Sequence, residues 1–94
     1  MRKKGGPSKV KVCQISIYND RPRFRIEGDY VYRFYEQLKA LVPGKDRAWY
    51  ALERFWTVDR SFFCRIFELA YQYFDKIFLC ENDRVEEYDT RKIV

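Results

Sequence analysis

A reaction needs a base, a nucleophile or a metal, and these 94 residues offer few of them. There is no histidine, so neither a Cys–His nor a Ser–His pair can form. The serines are Ser8, Ser16 and Ser61 alone. Cys13, Cys64 and Cys80 stand far apart with no Cys-x-x-Cys pair, and a zinc site would need all three thiolates plus a carboxylate. They read instead as reduced thiols acting as small apolar residues, which points to a reducing compartment, cytoplasmic or, in a eukaryote, nuclear. Gly5, Gly6, Gly28 and Gly44 make no phosphate-cradling loop. The densest acidic spot, Glu86-Glu87-Tyr88-Asp89, reads as solvated charge. The chain is therefore expected to be non-catalytic, with no metal and no cofactor.

Binding chemistry is better supplied. Net charge is +5, and it is uneven. Residues 1–25 carry eight basic side chains against Asp20 alone, whereas the rest carries eleven basic and thirteen acidic ones. All the positive excess lies in the N-terminal quarter, in the Arg2-Lys3-Lys4 arm, Lys9, Lys11, Arg21, Arg23 and Arg25, which favours a polyanionic partner. Aromatic residues make up 19% of the chain, enough to build a core and still leave rings for stacking. The two sets meet between residues 45 and 56. Lys45, Arg47 and Arg54 can reach phosphates, and Trp49 or Tyr50, whichever points outward, can stack on an unpaired base, with Tyr18 and Phe55 behind it. Trp56, Tyr30, Tyr32 and Tyr35 read first as packing residues.

The elements that must position these residues follow from periodicity. Residues 1–8 are basic and glycine-rich and are expected to be a mobile arm; no apolar segment follows as in a signal peptide, and no run reaches membrane-spanning length. Residues 9–18 read as a strand whose phase slips near Cys13, as a bulge would make it. After the Asn19–Pro22 turn cluster, residues 23–27 alternate: Phe24 and Ile26 face one way, Arg23, Arg25 and Glu27 the other. Asp29 is the candidate N-cap of a helix over 30–42, with Val31, Phe34, Tyr35, Leu38, Leu41 and Val42 on its apolar face, stopped by Pro43-Gly44. Residues 48–52 and 54–58 read as a second hairpin around Glu53. Asp59 caps a second helix over 60–74, whose wider apolar stripe marks it as the more buried. Residues 77–80 form a short strand, and 82–94 a charged tail or a weak strand around 91–94. One domain over 9–81 results, α+β in class and β-β-α-β-β-α-β in order. Its sheet is mostly antiparallel, with both helices packed on one face and the other face open.

The segment from Leu41 to Val58 carries a resemblance. A helix ends on Pro43-Gly44-Lys45, Trp49 follows, then Arg54, Trp56 and Val58, then another helix. This resembles the HARP domain, the small substrate-recognition module found beside the motor of annealing helicases, over residues 23–80. Two positions depart from the family pattern: the interval from Gly44 to Trp49 is longer, and Tyr50-Ala51 replaces the usual Asp-Pro. The resemblance implies binding to branched or partly single-stranded DNA, with no catalysis by the module itself.

Two readings of function result. The leading one is a nucleic-acid-binding module, DNA preferred, that works by electrostatic capture through Arg23, Arg25, Lys45, Arg47, Arg54 and the Arg2-Lys3-Lys4 arm, with stacking on Trp49. The alternative is a protein-interaction module, such as an inhibitory or accessory protein of a mobile element. Convergence of the five basic residues at 23–54 on one surface favours the first. Acids interleaved with them around an apolar patch favour the second.

Overall fold

The clean alternation of Phe24 and Ile26 with Arg23, Arg25 and Glu27 becomes a strand, and its two faces organise the molecule. The computed structural model describes residues 10–91. The expected arm over 1–8 therefore lies outside the described residues, as does the end of the chain from 92 to 94. The elements are β1 (Val12–Ile17), β2 (Arg23–Gly28), α1 (Tyr32–Leu41), β3 (Arg47–Tyr50), β4 (Phe55–Asp59), α2 (Phe63–Tyr73), β5 (Lys76–Glu81) and β6 (Arg84–Asp89). Short 3-10 turns at Gly44–Asp46 and Arg60–Phe62 lead into β3 and α2.

The six strands form one sheet in the order β3-β4-β2-β1-β5-β6. The β1–β5 pair is parallel and the other four pairs are antiparallel. Register places Cys13, Ile15, Phe24, Ile26, Val58 and Ile77 on one face, and all six are fully buried or nearly so. They form a single core with Phe34, Tyr35 and Leu38 of α1 and Ile66 and Ala70 of α2. Both helices therefore cover this face. Phe34 sits at the centre, its ring meeting those of Tyr35 and Phe74 edge-on at 4.9 and 5.0 Å. The opposite face, which carries Gln14, Arg25, Glu27, Thr57 and Phe78, has no helix over it among the described residues.

Several expectations are corrected. β1 has no bulge: its pairing with β2 and β5 runs unbroken, and the apparent slip arises because Val10 precedes the strand and Val12, its first residue, lies on the face opposite Cys13 and Ile15. Asp29 does not cap α1, which starts at Tyr32 with Val31 in the N-cap position and no side-chain cap. Its carboxylate instead accepts from the Val12 N–H at 2.8 Å, while its own N–H donates to the Val12 carbonyl at 2.9 Å. Asp75 does the same for Lys11, so two aspartates far apart in sequence bracket the start of β1. Asp59 does cap, accepting from the Ser61 N–H at 2.9 Å, and those bonds hold its carboxyl below the ordinary range. α1 buries Phe34, Tyr35 and Leu38, whereas α2 buries Ile66 and Ala70 and half-buries Phe63, Phe67, Leu69 and Tyr73, with Phe63 against Phe24 of β2 and Phe67 against Tyr88 of β6. Residues 84–89 are not a tail: they form edge strand β6, held by Tyr88 against Phe67 and by a 3.2 Å Lys76–Glu87 ion pair. The β5–β6 turn is two residues, with Asn82 at φ 57°, a conformation Asn tolerates.

Candidate nucleic-acid interface

The β3–β4 hairpin closes differently from a simple turn around Glu53. Ala51–Arg54 form a four-residue loop, closed by the Arg54 N–H donating to the Tyr50 carbonyl at 2.7 Å. Arg54 itself has φ 63°, a place usually given to glycine or asparagine, which is why no Asn-Gly signal marks the turn. Leu52 stands at the tip, 90% exposed.

Register then sorts the aromatic residues. Trp49 of β3 faces Trp56 of β4 on the helix side of the sheet, with ring centroids 5.4 Å apart. Tyr35 of α1 stacks on Trp56 at 6.2 Å and 20°, and Tyr30, from the loop before α1, stacks on Tyr35 at 5.5 Å and 11°. The four rings line a cleft of about 510 Å³, together with Gly28, Lys39 and Arg54. That volume suits one small ligand or one or two nucleotides. Trp49 is 48% and Tyr30 67% exposed, so the row has accessible rings at both ends. The lining holds two cations and no carboxylate. Asp29 lies close enough to act on Tyr35, but its carboxylate is engaged with Val12.

Two acids at or beneath the cleft floor hold their protons. Burial first, then the neighbouring Cys13, Tyr30 and Asp29, push the Tyr35 hydroxyl well above its ordinary value, so it stays protonated. Burial, and secondarily Glu27, push the Cys13 thiol up to about 12. Gly28 closes one wall at φ 140°, and a Cβ there would collide with the Val12 carbonyl oxygen.

On the open face, the guanidinium of Arg25 lies 3.8 Å from the centroid of the Phe55 ring and Arg21 lies 4.6 Å from that of Tyr18. Tyr50 stacks on Phe55 at 4.8 Å. These residues and Arg23 border a shallower cleft of about 260 Å³. Arg25 Nε stands 3.3 Å from a Glu27 oxygen outside hydrogen-bond geometry, an ionic contact at a partly exposed site worth a fraction of a kcal/mol. Arg23 donates to the Lys45 carbonyl at 2.8 Å, which brings the Lys45 turn beside it.

The basic residues singled out from the sequence thus do not converge on one surface. Arg23 and Arg25 lie on the open face with Lys45 beside them. Trp49 and Arg54 lie in the helix-side cleft. Arg47 lies behind the cleft: its guanidinium sits 6.0 Å from the centroid of the Trp56 ring, and its Nε donates to the Val42 carbonyl at 2.9 Å, tying β3 to the end of α1. Arg2, Lys3 and Lys4 lie outside the described residues. Trp49 and Tyr50 both point outward, on opposite faces. Sequence reasoning missed Lys39 and read Tyr30 and Tyr35 as packing. The available signal was spacing, since Tyr35 and Lys39 share a helix face at i, i+4.

Among the described residues no group of three or more Cys, Asp or Glu is placed to hold a metal, and no helix is long and apolar enough to cross a membrane. The chain defines a mixed six-stranded α+β module with a cationic aromatic cleft on one face. Compared with protein-family models, curated proteins and solved structures, it matches none.

Proposed function

We propose that this chain is a nucleic-acid-binding module that captures a single strand, DNA by preference, in the Trp49–Trp56 cleft. One observation carries the reading: four aromatic rings and two cations line a single cleft that no carboxylate enters. Bases stack on the exposed faces of Trp49 and Tyr30, and Lys39 and Arg54 hold the adjacent phosphates. Stacking of this kind contributes roughly 1–3 kcal/mol per base and tolerates any base, because every base presents a π-face. Few groups in the cleft are placed to read base edges, so sequence preference is weak. The resemblance of Pro43–Val58 to the HARP pattern and the basic N-terminal quarter support the same reading, and the first of these favours DNA.

The test is a fluorescence titration. Both tryptophans line the cleft, so oligothymidylate binding at low salt quenches their emission, and the affinity falls as salt rises. Absence of quenching by any oligonucleotide at low salt refutes the reading.

Two observations favour the protein-partner reading: the five basic residues at 23–54 do not converge on one surface, and acids interleave with those on the open face. On the open face Arg25 alternates with Glu27 around Phe55, a mix of charge and apolar surface that suits a protein. That reading takes precedence if the quenching experiment fails.

A further inference from the structure

Trp49 and Tyr50 are consecutive residues of β3, and each exposes an aromatic ring, one on either face of the sheet. β3 has four residues and ends the sheet, so among the described residues no strand lies beyond it. On one side Trp49 opens onto the cleft with Lys39 and Arg54. On the other, Tyr50 opens onto the shallower cleft with Arg21, Arg23 and Arg25. Asp20, Glu27, Asp46 and Asp59 lie beside this second group in sequence or in contact, but the charged side chains that line the shallower cleft itself are Arg21, Arg23 and Arg25, with no carboxylate among them.

We propose that a single nucleic-acid strand straddles the β3 edge, running from the Trp49 cleft around the hairpin onto the Tyr50–Arg21 surface of the open face. This rests on the reading of the Trp49 cleft as a single-strand site. The occupant follows from charge and ring chemistry, because the same pairing of aromatic faces with cations recurs on both sides of one narrow edge. About three nucleotides, roughly 10 Å of strand at about 3.4 Å each, are allotted to the passage around the narrow β3 edge. With one or two nucleotides seated on each side, the footprint is about six, within the range known for small single-strand binders.

Two short strands fill the two sites separately, whereas one long strand fills both. Calorimetry and tryptophan quenching are measured with dT3, dT8 and rU8, the last to separate DNA from RNA. Two dT3 are expected per chain but one dT8, bound at least about a hundredfold more tightly because its second contact is intramolecular. The variant Arg21→Ala/Tyr50→Ser changes two exposed residues away from the core, and a thermal melt matching wild type verifies its fold. It is expected to lose the dT8 advantage, bind one dT3, and keep wild-type quenching by dT3. Equal affinity for dT3 and dT8, or a double variant that binds dT8 like wild type, overturns the straddling path and leaves the cleft reading standing. Loss of all quenching, in contrast, refutes the cleft reading itself.

Discussion

Trp49 and Trp56 face each other across the β3–β4 pair with ring planes tilted by 44°, and their environments differ. Trp56 is half-buried, packed on Tyr35 and the core, while Trp49 is 48% exposed at the sheet edge. One ring builds the wall and the other meets the ligand. Trp49→Ala is therefore expected to weaken oligothymidylate binding by about 1–3 kcal/mol with a melt close to wild type. Trp56→Ala is expected to lower stability as well, since it removes a packed aromatic. Parallel anisotropy and thermal-melt measurements separate the two, and equal effects on both readouts contradict the division of roles.

Arg54 combines a charge in the cleft with a strained backbone, φ 63°. Arg54→Gly removes both. Glycine relieves the strain but enlarges the unfolded ensemble, so stability is expected to stay within about 1 kcal/mol of wild type. Binding is expected to weaken and the slope of log K against log salt to fall by about 0.7, the value for one phosphate contact to a single strand. Lys39→Ala should lower the slope by the same amount. A salt titration that leaves the slope unchanged in both variants removes these residues from the interface.

The sequence made legible what depended on local period and left obscure what depended on partners. Alternation in β2, the apolar face of α1, the Pro43-Gly44 stop and the Asp59 cap are each written within a few residues, and each stands in the structure. Asp29 carried the same cap signal as Asp59 but was claimed by Val12, seventeen positions away. β6 hides because an edge strand needs only one apolar anchor, here Tyr88, and its charges, which deter further pairing, make it resemble a tail. The site divided for a related reason. Alternation tells which residues of one strand share a face, but only the pairing of β2 with β4 reveals that Arg25 shares its face with Tyr50 and Phe55, and not with Trp49.

Gly28 ends β2 where the chain passes close to Val12, at a φ of 140° that side chains rarely adopt. Gly28→Ala must either push the Val12 carbonyl out of its bond with the Asp29 N–H or shift the wall of the cleft. A loss of about 2 kcal/mol or more is expected, combining backbone strain with a steric clash. Urea unfolding gives the value directly, and a variant as stable as wild type shows that the Asp29 loop can relax.

Alkaline pH should unfold this protein early, and the sign follows from two buried acids. Cys13 is held up to about 12, chiefly by burial, and the Tyr35 hydroxyl is likewise raised by burial. In the unfolded chain both lose their protons at lower pH, near the ordinary thiol value of about 8.5 and phenol value of about 10. Their contribution is therefore fully present below the unfolded thiol value and is lost as pH rises through the interval up to the folded values. Each proton held only by the folded state lowers stability by about 1.4 kcal/mol per pH unit in that interval. Urea midpoints are expected to hold between pH 7 and 8 and to fall progressively above about pH 9, with the fall reduced in Cys13→Ala, whose smaller side chain costs some stability at every pH. Alkylation offers a second readout: at pH 8 iodoacetamide should modify the exposed Cys64 and spare Cys13, as mass spectrometry of the folded protein would record. Equal labelling of the two thiols in the native protein would mean that the core around Cys13 opens far more readily than its packing between β2 and β5 implies.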